Sequence, residues 1–336
     1  VSDFSFTPIV LPLVSSSVVQ DTVNKFVDEM DDHLIVLKEE ASEIKEVDIA
    51  KNTRKEEIVQ IGSTIPKAGG GFGTVYMTKA SGQKQLVAIK LMPHKSRKEQ
   101  KMNFSECFYL KECNHPNVVS FKEAHIVANE IWVLMEFLEG GTLQEASKTS
   151  NFGEPTIAYI AREMLKGVKY VHEKGWAHRD IKSANVMMSV KGDVKLIDFG
   201  LARDLKDGQV AHMCGSPFWM PPEMIKRIPH GNSVDIWSSG ICLLELMDGE
   251  VPNKSSSIKA MFLVGVGDAP VPKRPDKWSF KCKKFIEDML EVNHLKRPSA
   301  ENLLKKDFLN SACDRKDICK ILLSIFYQNT LSKEGL

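Results

Sequence analysis

Residues 177–200 constrain this chain more than any other stretch. They read AHRDIKSANVMMSVKGDVKLIDFG, with an acid at Asp180, a basic residue at Lys182, an amide at Asn185 and a second acid at Asp198. A short apolar run precedes the second acid, which is typical of a strand that ends in a loop. Two carboxylates and an amide at the ends of short strands are suited to holding a divalent metal ion beside a hydroxyl group.

Length and composition limit the classes of protein to consider. A chain of 336 residues fits two lobes plus appendages rather than one small core. Its 45 basic and 44 acidic residues argue against nucleic acid or an anionic membrane as the main partner. Seven scattered cysteines indicate reduced thiols and a cytoplasmic location. No apolar run reaches the roughly 18 residues that would span a bilayer.

The motifs H-R-D-x-K-x-x-N and D-F-G, in this order and spacing, resemble the catalytic signature of protein kinases. The segment GSPFWMPPE at residues 215–223 is similar to that of the sterile-20 class, most closely the PAK-type kinases, and so are HRDIKS, EIWVLMEFLEGGTL and VDIWSSGICLLELMDGE. The resemblance covers roughly residues 60–310. It implies an α+β bilobal fold, with a small β-rich lobe containing one key helix and a large helical lobe.

The resemblance also implies a reaction, in which the γ-phosphate of ATP passes to a protein Ser or Thr. Asp180 would accept the proton of the substrate hydroxyl. Lys182 would stabilise the γ-phosphate in the transition state. Asn185 and Asp198 would bind Mg²⁺.

The nucleotide site is expected in the first half of the matched region. In the run AGGGFGTVYM, Ala68 stands at the first glycine position of the pattern G-x-G-x-x-G-x-V, whose glycines let a hairpin backbone lie over phosphates. Lys90, in VAIK, would hold the α- and β-phosphates and pair with Glu106, or with Glu112 as the alternative. The other residues assigned to ATP are Gly70, Gly73 and Val75 of the hairpin, Ala88, Met135, Glu136 and Leu138 near the hinge, and Met187.

The activation segment departs from the family pattern. His212 stands where related kinases carry a phosphorylated threonine, and residues 201–215 contain no Ser, Thr or Tyr. A phosphate there would dock on Arg179, so this arginine is expected to pair with Asp204 or Asp207 instead, or to stay unpaired. The departure predicts either a modest constitutive activity or an inefficient enzyme.

Three further residues concern the substrate side. Ala184 replaces an aspartate of the PAK pattern, while Glu245 remains as a second acid near that position. We therefore expect a weakened preference for basic substrates. Ser216 replaces a threonine and keeps the hydroxyl that would touch the catalytic acid.

Other matched residues are expected to be structural. By the resemblance Glu223 should pair with Arg297, and Asp235 should brace the catalytic loop. His172 lies near the end of the helix predicted over residues 157–173, where capping or solvent exposure is expected.

The domain organisation predicted from these patterns has four parts: an N-terminal extension (1–55), a small lobe (56–138), a large lobe (139–310) and a C-terminal tail helix (311–336). Residues 23–44 carry one apolar stripe and an acidic outer face. The stripe fits a short coiled coil that forms a weak dimer, a helix packed on its own kinase domain, or a linker. An amphipathic stretch in the tail is expected to pack on the large lobe, with a partner-binding helix as the alternative.

A catalytically weak pseudokinase scaffold is the competing hypothesis. It rests on Ala68, Ala184 and His212, whereas the residues expected to perform the chemistry are present. Protein substrates are the expected partners. No motif for small-GTPase binding precedes the kinase region in this chain, so GTPase control is not supported.

Overall fold

The structure is a computed structural model that describes residues 51–52, 65–70, 73–79, 86–149 and 152–334. The apolar stripe predicted over 23–44 lies outside these residues.

Eleven strands within the described residues form three sheets. The largest has the strand order β1-β5-β6-β4-β3-β2, and the smaller ones have the orders β10-β9-β7 and β11-β8. The strands are β1 (Lys51–Asn52), β2 (Ile65–Gly70), β3 (Gly73–Lys79), β4 (Leu86–Pro93), β5 (Phe121–Val127), β6 (Glu130–Glu136), β7 (Gly141–Thr142), β8 (Trp176–Ala177), β9 (Val186–Met188), β10 (Val194–Leu196) and β11 (Arg203–Asp204).

Nine α-helices lie in the same part of the chain. They are α1 (Arg97–Glu112), α2 (Leu143–Thr149), α3 (Glu154–Glu173), α4 (Pro222–Ile225), α5 (Ser233–Asp248), α6 (Ser257–Gly265), α7 (Phe280–Met289), α8 (Ala300–Leu303) and α9 (Arg315–Glu334). None of these helices combines the length and the hydrophobicity that crossing a bilayer requires.

The small lobe is the six-stranded sheet with α1 packed against it. Ile89 on β4 and Leu134 on β6 belong to an apolar cluster within the sheet, while Val133 on β6 packs in a second cluster with Cys107 of α1. Adjacent strand residues thus enter different clusters, because side chains alternate between the two faces of a sheet. Strand β1 pairs in parallel with β5 and lies within the stretch assigned above to the N-terminal extension.

A local sequence signal sets the start of α1. Ser96 is the N-cap, and its side chain accepts a hydrogen bond from the Glu99 amide while Glu99 bonds back to the Ser96 amide. This reciprocal capping satisfies two backbone donors that the helix itself cannot pair. The helix start in turn sets the position of Glu106, which lies about two and a half turns after Arg97 and contacts Lys90 at the cleft.

The large lobe is built around α3 and α5. All five residues predicted to form the buried side of α3 are buried: Ile160, Met164, Leu165, Val168 and Val171. Helix α5 is buried over nearly its whole length, which is typical of a central helix that other helices surround. The large lobe is therefore a packed helical support for the catalytic loops on its cleft side.

The tail helix α9 packs on the large lobe, as expected. Ile318, Leu322, Ile325 and Phe326 are buried in the same apolar cluster as α3 and α5. At its beginning Arg315 donates to the Lys191 carbonyl at 2.9 Å.

Candidate active site

Lys90 joins the two lobes at the cleft. Its Nζ lies 2.6 Å from Glu106 Oε1 on α1 and 3.1 Å from Asp198 Oδ1. Burial alone would lower the pKa of Lys90, but the two carboxylates outweigh it and hold that pKa above its usual value. Burial likewise opposes ionisation of Asp198, yet the Lys90 charge holds the Asp198 pKa below its usual range. Lys90 is thus a cation placed between two acids, while the alternative partner Glu112 is exposed.

The backbone around Asp198 is under strain. Asp198 has a φ of 64°, in the left-handed region that few non-glycine residues adopt. The next residue, Phe199, is fully buried with Cys107 and Leu110 of α1, and the ring of His178 lies 4.8 Å from its ring. Packing of Phe199 under α1 therefore supports the backbone that aims Asp198 at Lys90.

Asp180 is the centre of a hydrogen-bond network. Its Oδ2 accepts from Lys182 Nζ at 2.9 Å and from Asn185 Nδ2 at 3.0 Å. Its Oδ1 accepts from Ser216 Oγ at 2.8 Å, and Lys182 Nζ also donates to Ser216 Oγ at 2.9 Å. The network fixes the orientation of the carboxylate, as a group that must receive a proton at one position requires.

Asp235 binds the backbone of the catalytic loop at His178 and Arg179. Its carboxylate accepts from the backbone amides of His178 and Arg179, both at 2.8 Å. Arg179 has a φ of 64°, so these bonds support a second strained residue. His172 Nε2 lies 2.9 Å from the same carboxylate. The expectation that His172 caps the helix or faces solvent was therefore wrong, and nothing local in the sequence indicates its contact with Asp235.

The donor groups near Asp198 fit magnesium. The Ile197 amide donates to the Asn185 carbonyl at 3.0 Å, which holds the two candidate ligands side by side. The contact of Asp198 with Lys90 uses Oδ1, and Asn185 bonds to Asp180 through its amide nitrogen, Nδ2. The described residues contain no cluster of three or more His, Cys, Asp or Glu side chains. This donor set suits an ion that completes its shell with substrate phosphates and water.

The residues assigned to ATP lie on elements that border the cleft. Ala68 pairs with Val75, and Gly70 pairs with Gly73, across the β2–β3 hairpin. Lys90 lies opposite Val75. On the neighbouring strand pairs, Ala88 lies opposite Met135, and Met187 lies opposite Thr142.

The end of β6 contains a contact that the sequence did not indicate. The Glu136 carboxylate accepts from Lys195 Nζ at 2.8 Å and from the Ser120 amide at 2.6 Å. The Glu136 amide donates to the Ser120 carbonyl. Glu136 thus ties the start of the hinge to the large lobe, two residues before the buried Leu138.

Arg179 pairs with neither of its expected acidic partners. Its Nε donates to the Leu201 carbonyl at 2.8 Å, and its buried Nη1 has no hydrogen-bond partner among the residues that the structure describes. The Asp204 carboxylate instead pairs with Lys206 at 3.2 Å. Arg179 therefore forms no ion pair with either acid, which is the second of the two alternatives expected from the sequence.

Backbone contacts order the activation segment. Val210 and His230 exchange two hydrogen bonds, of 3.1 and 2.9 Å, and β11 pairs with β8 just ahead of the catalytic loop. His212, half-buried, lies between these contacts and the buried Cys214. The expected ion pair at the end of the segment is present, with Glu223 accepting from Arg297 at 2.7 and 3.0 Å.

Glu245 does not lie on the substrate surface. It is 4% exposed, and Ser147 Oγ lies 3.5 Å from its Oε1. Burial raises the pKa of Glu245, which favours a neutral carboxyl group. A buried acid is poorly placed to recognise a basic substrate residue.

The protein kinase domain family matches residues 65–309 of this chain. This chain belongs to the protein kinase family. It is 47% identical over 267 residues to the probable serine/threonine-protein kinase mkcB of Dictyostelium discoideum, over 79% of this chain and 37% of that protein. It is 42% identical over 277 residues to mkcC of the same organism, over 82% of this chain and 30% of that protein.

Relatives of the predicted class are also found. Serine/threonine-protein kinase STE20 of Yarrowia lipolytica is 36% identical over 248 residues, covering 73% of this chain and 22% of that protein. The predicted bilobal kinase fold and the resemblance to the sterile-20 class are confirmed. The scaffold hypothesis gains no support from these relatives. The chain spans less than half the length of the curated relatives named here.

Proposed function

We propose that this chain is a serine/threonine protein kinase of PAK-like type that works without a phosphate on its activation segment. The observation that carries the proposal is the double contact of Lys90 with Glu106 and Asp198 at 2.6 and 3.1 Å. It joins α1, the β4 strand and the D-F-G segment in the arrangement that phosphoryl transfer between ATP and a hydroxyl needs.

Each polar group has a role in the proposed reaction. Lys90 binds the α- and β-phosphates of ATP. Asp180 orients the attacking Ser or Thr hydroxyl and accepts its proton, and Lys182 neutralises charge on the transferred group. Asn185 and Asp198 would hold Mg²⁺, which would supply positive charge to offset that of the ATP phosphates. The sequence HRDIKS, with Lys182, favours Ser and Thr over Tyr as acceptors.

Independence from loop phosphorylation rests on two observations. Residues 201–215 contain no Ser, Thr or Tyr, and backbone bonds between Val210 and His230 hold the segment in place. The substrates are proteins whose recognition depends little on basic residues, since Ala184 is apolar and Glu245 is buried. The seven unpaired cysteines support a cytoplasmic location.

The direct test is transfer of the γ-phosphate from Mg-ATP to a generic protein substrate. We expect the unphosphorylated wild-type chain to be active and Asp198→Ala to lose at least about a thousandfold in kcat, because a metal ligand is removed. Asp207→Ala, an exposed acid in the same segment, is the matched control and should keep wild-type activity. Nucleotide binding by the wild-type chain without transfer would instead favour the scaffold.

The weak dimer through residues 23–44 is a separate part of the proposal. It rests on the apolar stripe and the acidic outer face in the sequence. Light scattering of the chain with and without residues 1–50 tests it. A monomeric mass for both the full chain and the shortened chain would exclude the dimer.

A further inference from the structure

The tail helix α9 lies outside the part of the chain that the kinase family matches, which is residues 65–309, yet it reaches the nucleotide side of the large lobe. It begins beside the turn between β9 and β10, where a Cβ on Gly192 would lie 3.0 Å from Ile318 Cγ2. Two helical turns later it reaches Gly140 and Gly141, directly after the hinge.

Phe326 packs on the backbone of these two glycines. A Cβ built on Gly140 would lie 2.6 Å from Phe326 Cε2, and one on Gly141 would lie 2.6 Å from Phe326 Cε1. Real Cβ atoms do not approach other heavy atoms this closely. The ring therefore fills part of the space that a side chain would need, together with the Met188 carbonyl at Gly140 and the Glu145 carboxylate at Gly141. Phe326 is itself 8% exposed, so the contact is a packed one.

The backbone under the ring borders the candidate ATP site. Gly141 and Thr142 form β7, which pairs with Met188 and Met187 of β9. Met187 is one of the residues assigned to ATP, and Leu138 of the hinge lies two residues before Gly140. A strand of two residues with no side chain at Gly141 has little packing of its own, and glycine there permits close approach by a neighbour.

We propose that Phe326 is a positioning residue for the nucleotide: its ring holds the Gly140–Gly141 backbone against β9 and thereby fixes the rim of the adenine pocket. The inference rests on the proposed function, since it assumes that this cleft binds ATP. Part of the packing that supports the nucleotide pocket thus comes from α9, which lies beyond the matched kinase domain.

The test compares Phe326→Ala with Ile318→Ala, which truncates a buried residue of the same helix beside Gly192. The Kd for Mg-ATP is measured by calorimetry, and kcat and the KM values for ATP and protein substrate are measured by phosphate transfer. We expect Phe326→Ala to raise the Kd and the KM for ATP by roughly 3- to 10-fold, with kcat and the protein KM nearly unchanged. Ile318→Ala should lower the melting temperature but leave the Kd unchanged.

Two further measurements keep the outcome decisive. Phe326→Leu retains apolar volume, and its Kd for Mg-ATP should lie between those of wild type and Phe326→Ala. Where the alanine variant folds poorly, a Kd for Phe326→Leu above that of wild type still tests the positioning role. Amide hydrogen exchange should be faster at Gly141 and Thr142 in Phe326→Ala than in Ile318→Ala. An unchanged Kd in Phe326→Ala, or an equal rise in Ile318→Ala, would overturn the positioning role. Wild-type binding of ATP without transfer would overturn only the proposed function, and no binding would overturn both.

Discussion

At the scale of single residues, Ser216 connects the activation segment to the catalytic loop. Its hydroxyl donates to Asp180 and accepts from Lys182. Ser216→Ala leaves one oxygen of Asp180 without its donor and removes an acceptor from Lys182. We expect kcat to fall about tenfold or more, since a hydrogen bond that orients Asp180 contributes about 1 to 1.5 kcal/mol, with the Kd for ATP unchanged. Ser216→Thr keeps the hydroxyl and should retain most activity; a wild-type kcat in the alanine variant would contradict this role.

The contact between His172 and Asp235 predicts a dependence of stability on pH. Burial favours the neutral acid, but the hydrogen bond from His172 and the neighbouring His178 hold the pKa of Asp235 below its usual value. A carboxyl group with a lower pKa in the folded state stabilises the fold above its unfolded pKa, near 4. That contribution is lost as the pH falls through the folded pKa.

Substitution of His172 should therefore move acid unfolding to higher pH. In His172→Leu the pKa of Asp235 rises toward its usual value, and the free energy of unfolding near pH 7 falls by about 1 to 3 kcal/mol because a buried acceptor loses a donor. Urea unfolding followed across pH 3 to 7 measures both effects. His294→Leu, a half-buried histidine outside this network, is the control, and an identical acid midpoint in both variants would exclude the coupling.

At the scale of elements, the activation segment depends on its backbone pairing with the chain after α4. Val210→Pro removes the amide that donates to the His230 carbonyl, whereas Val210→Ala keeps it. We expect the proline variant to lose about tenfold or more in kcat, which corresponds to about 1.4 kcal/mol, and to be cleaved faster by protease within residues 203–216. The alanine variant should match wild type. Equal protease resistance in both variants would show that the pairing does not order the segment.

Sequence patterns predicted some of these elements and not others, for physical reasons. The buried side of α3 follows the helical period over 20 residues, and such a long signal is reliable. The pairing of Lys90 with Glu106 was predictable because Glu106 falls beside the apolar side of one helix. Strand β1, by contrast, has two residues, which is too short for any period to appear.

Contacts between distant residues were the least predictable. His172 and Asp235 are 63 positions apart, and Lys195 and Glu136 are 59 apart. Neither pair has a local pattern, because each contact exists only once α3, α5 and the sheets have packed. The burial of Glu245 escaped prediction for the same reason: its spacing places it near the substrate side, and only packing decides that it points inward.

At the scale of the whole molecule, the ion pair of Glu223 and Arg297 ties the end of the activation segment to the far side of the large lobe. The side chains are 1% and 0% exposed, and Arg297 also donates to the Ser233 and Glu291 carbonyls at 2.9 Å. The net attraction of an ion pair removed from water in this way adds little to the free energy of unfolding. Removing one partner is costly, because it leaves the other charge buried and uncompensated. The stability of the large lobe should therefore depend strongly on keeping both Glu223 and Arg297.

Arg297→Ala should accordingly lower the free energy of unfolding by about 3 to 5 kcal/mol, because it leaves the Glu223 carboxylate buried without its partner. Adding Glu223→Leu to Arg297→Met removes both charges and should cost less than Arg297→Ala alone. Lys305→Ala breaks a solvent-exposed pair with Glu301 and should have no measurable effect, since water screens such pairs. Urea unfolding of the four proteins gives the comparison. If the double variant proves less stable than Arg297→Ala, the pair stabilises the large lobe by direct attraction, and the argument from stranded charge is wrong.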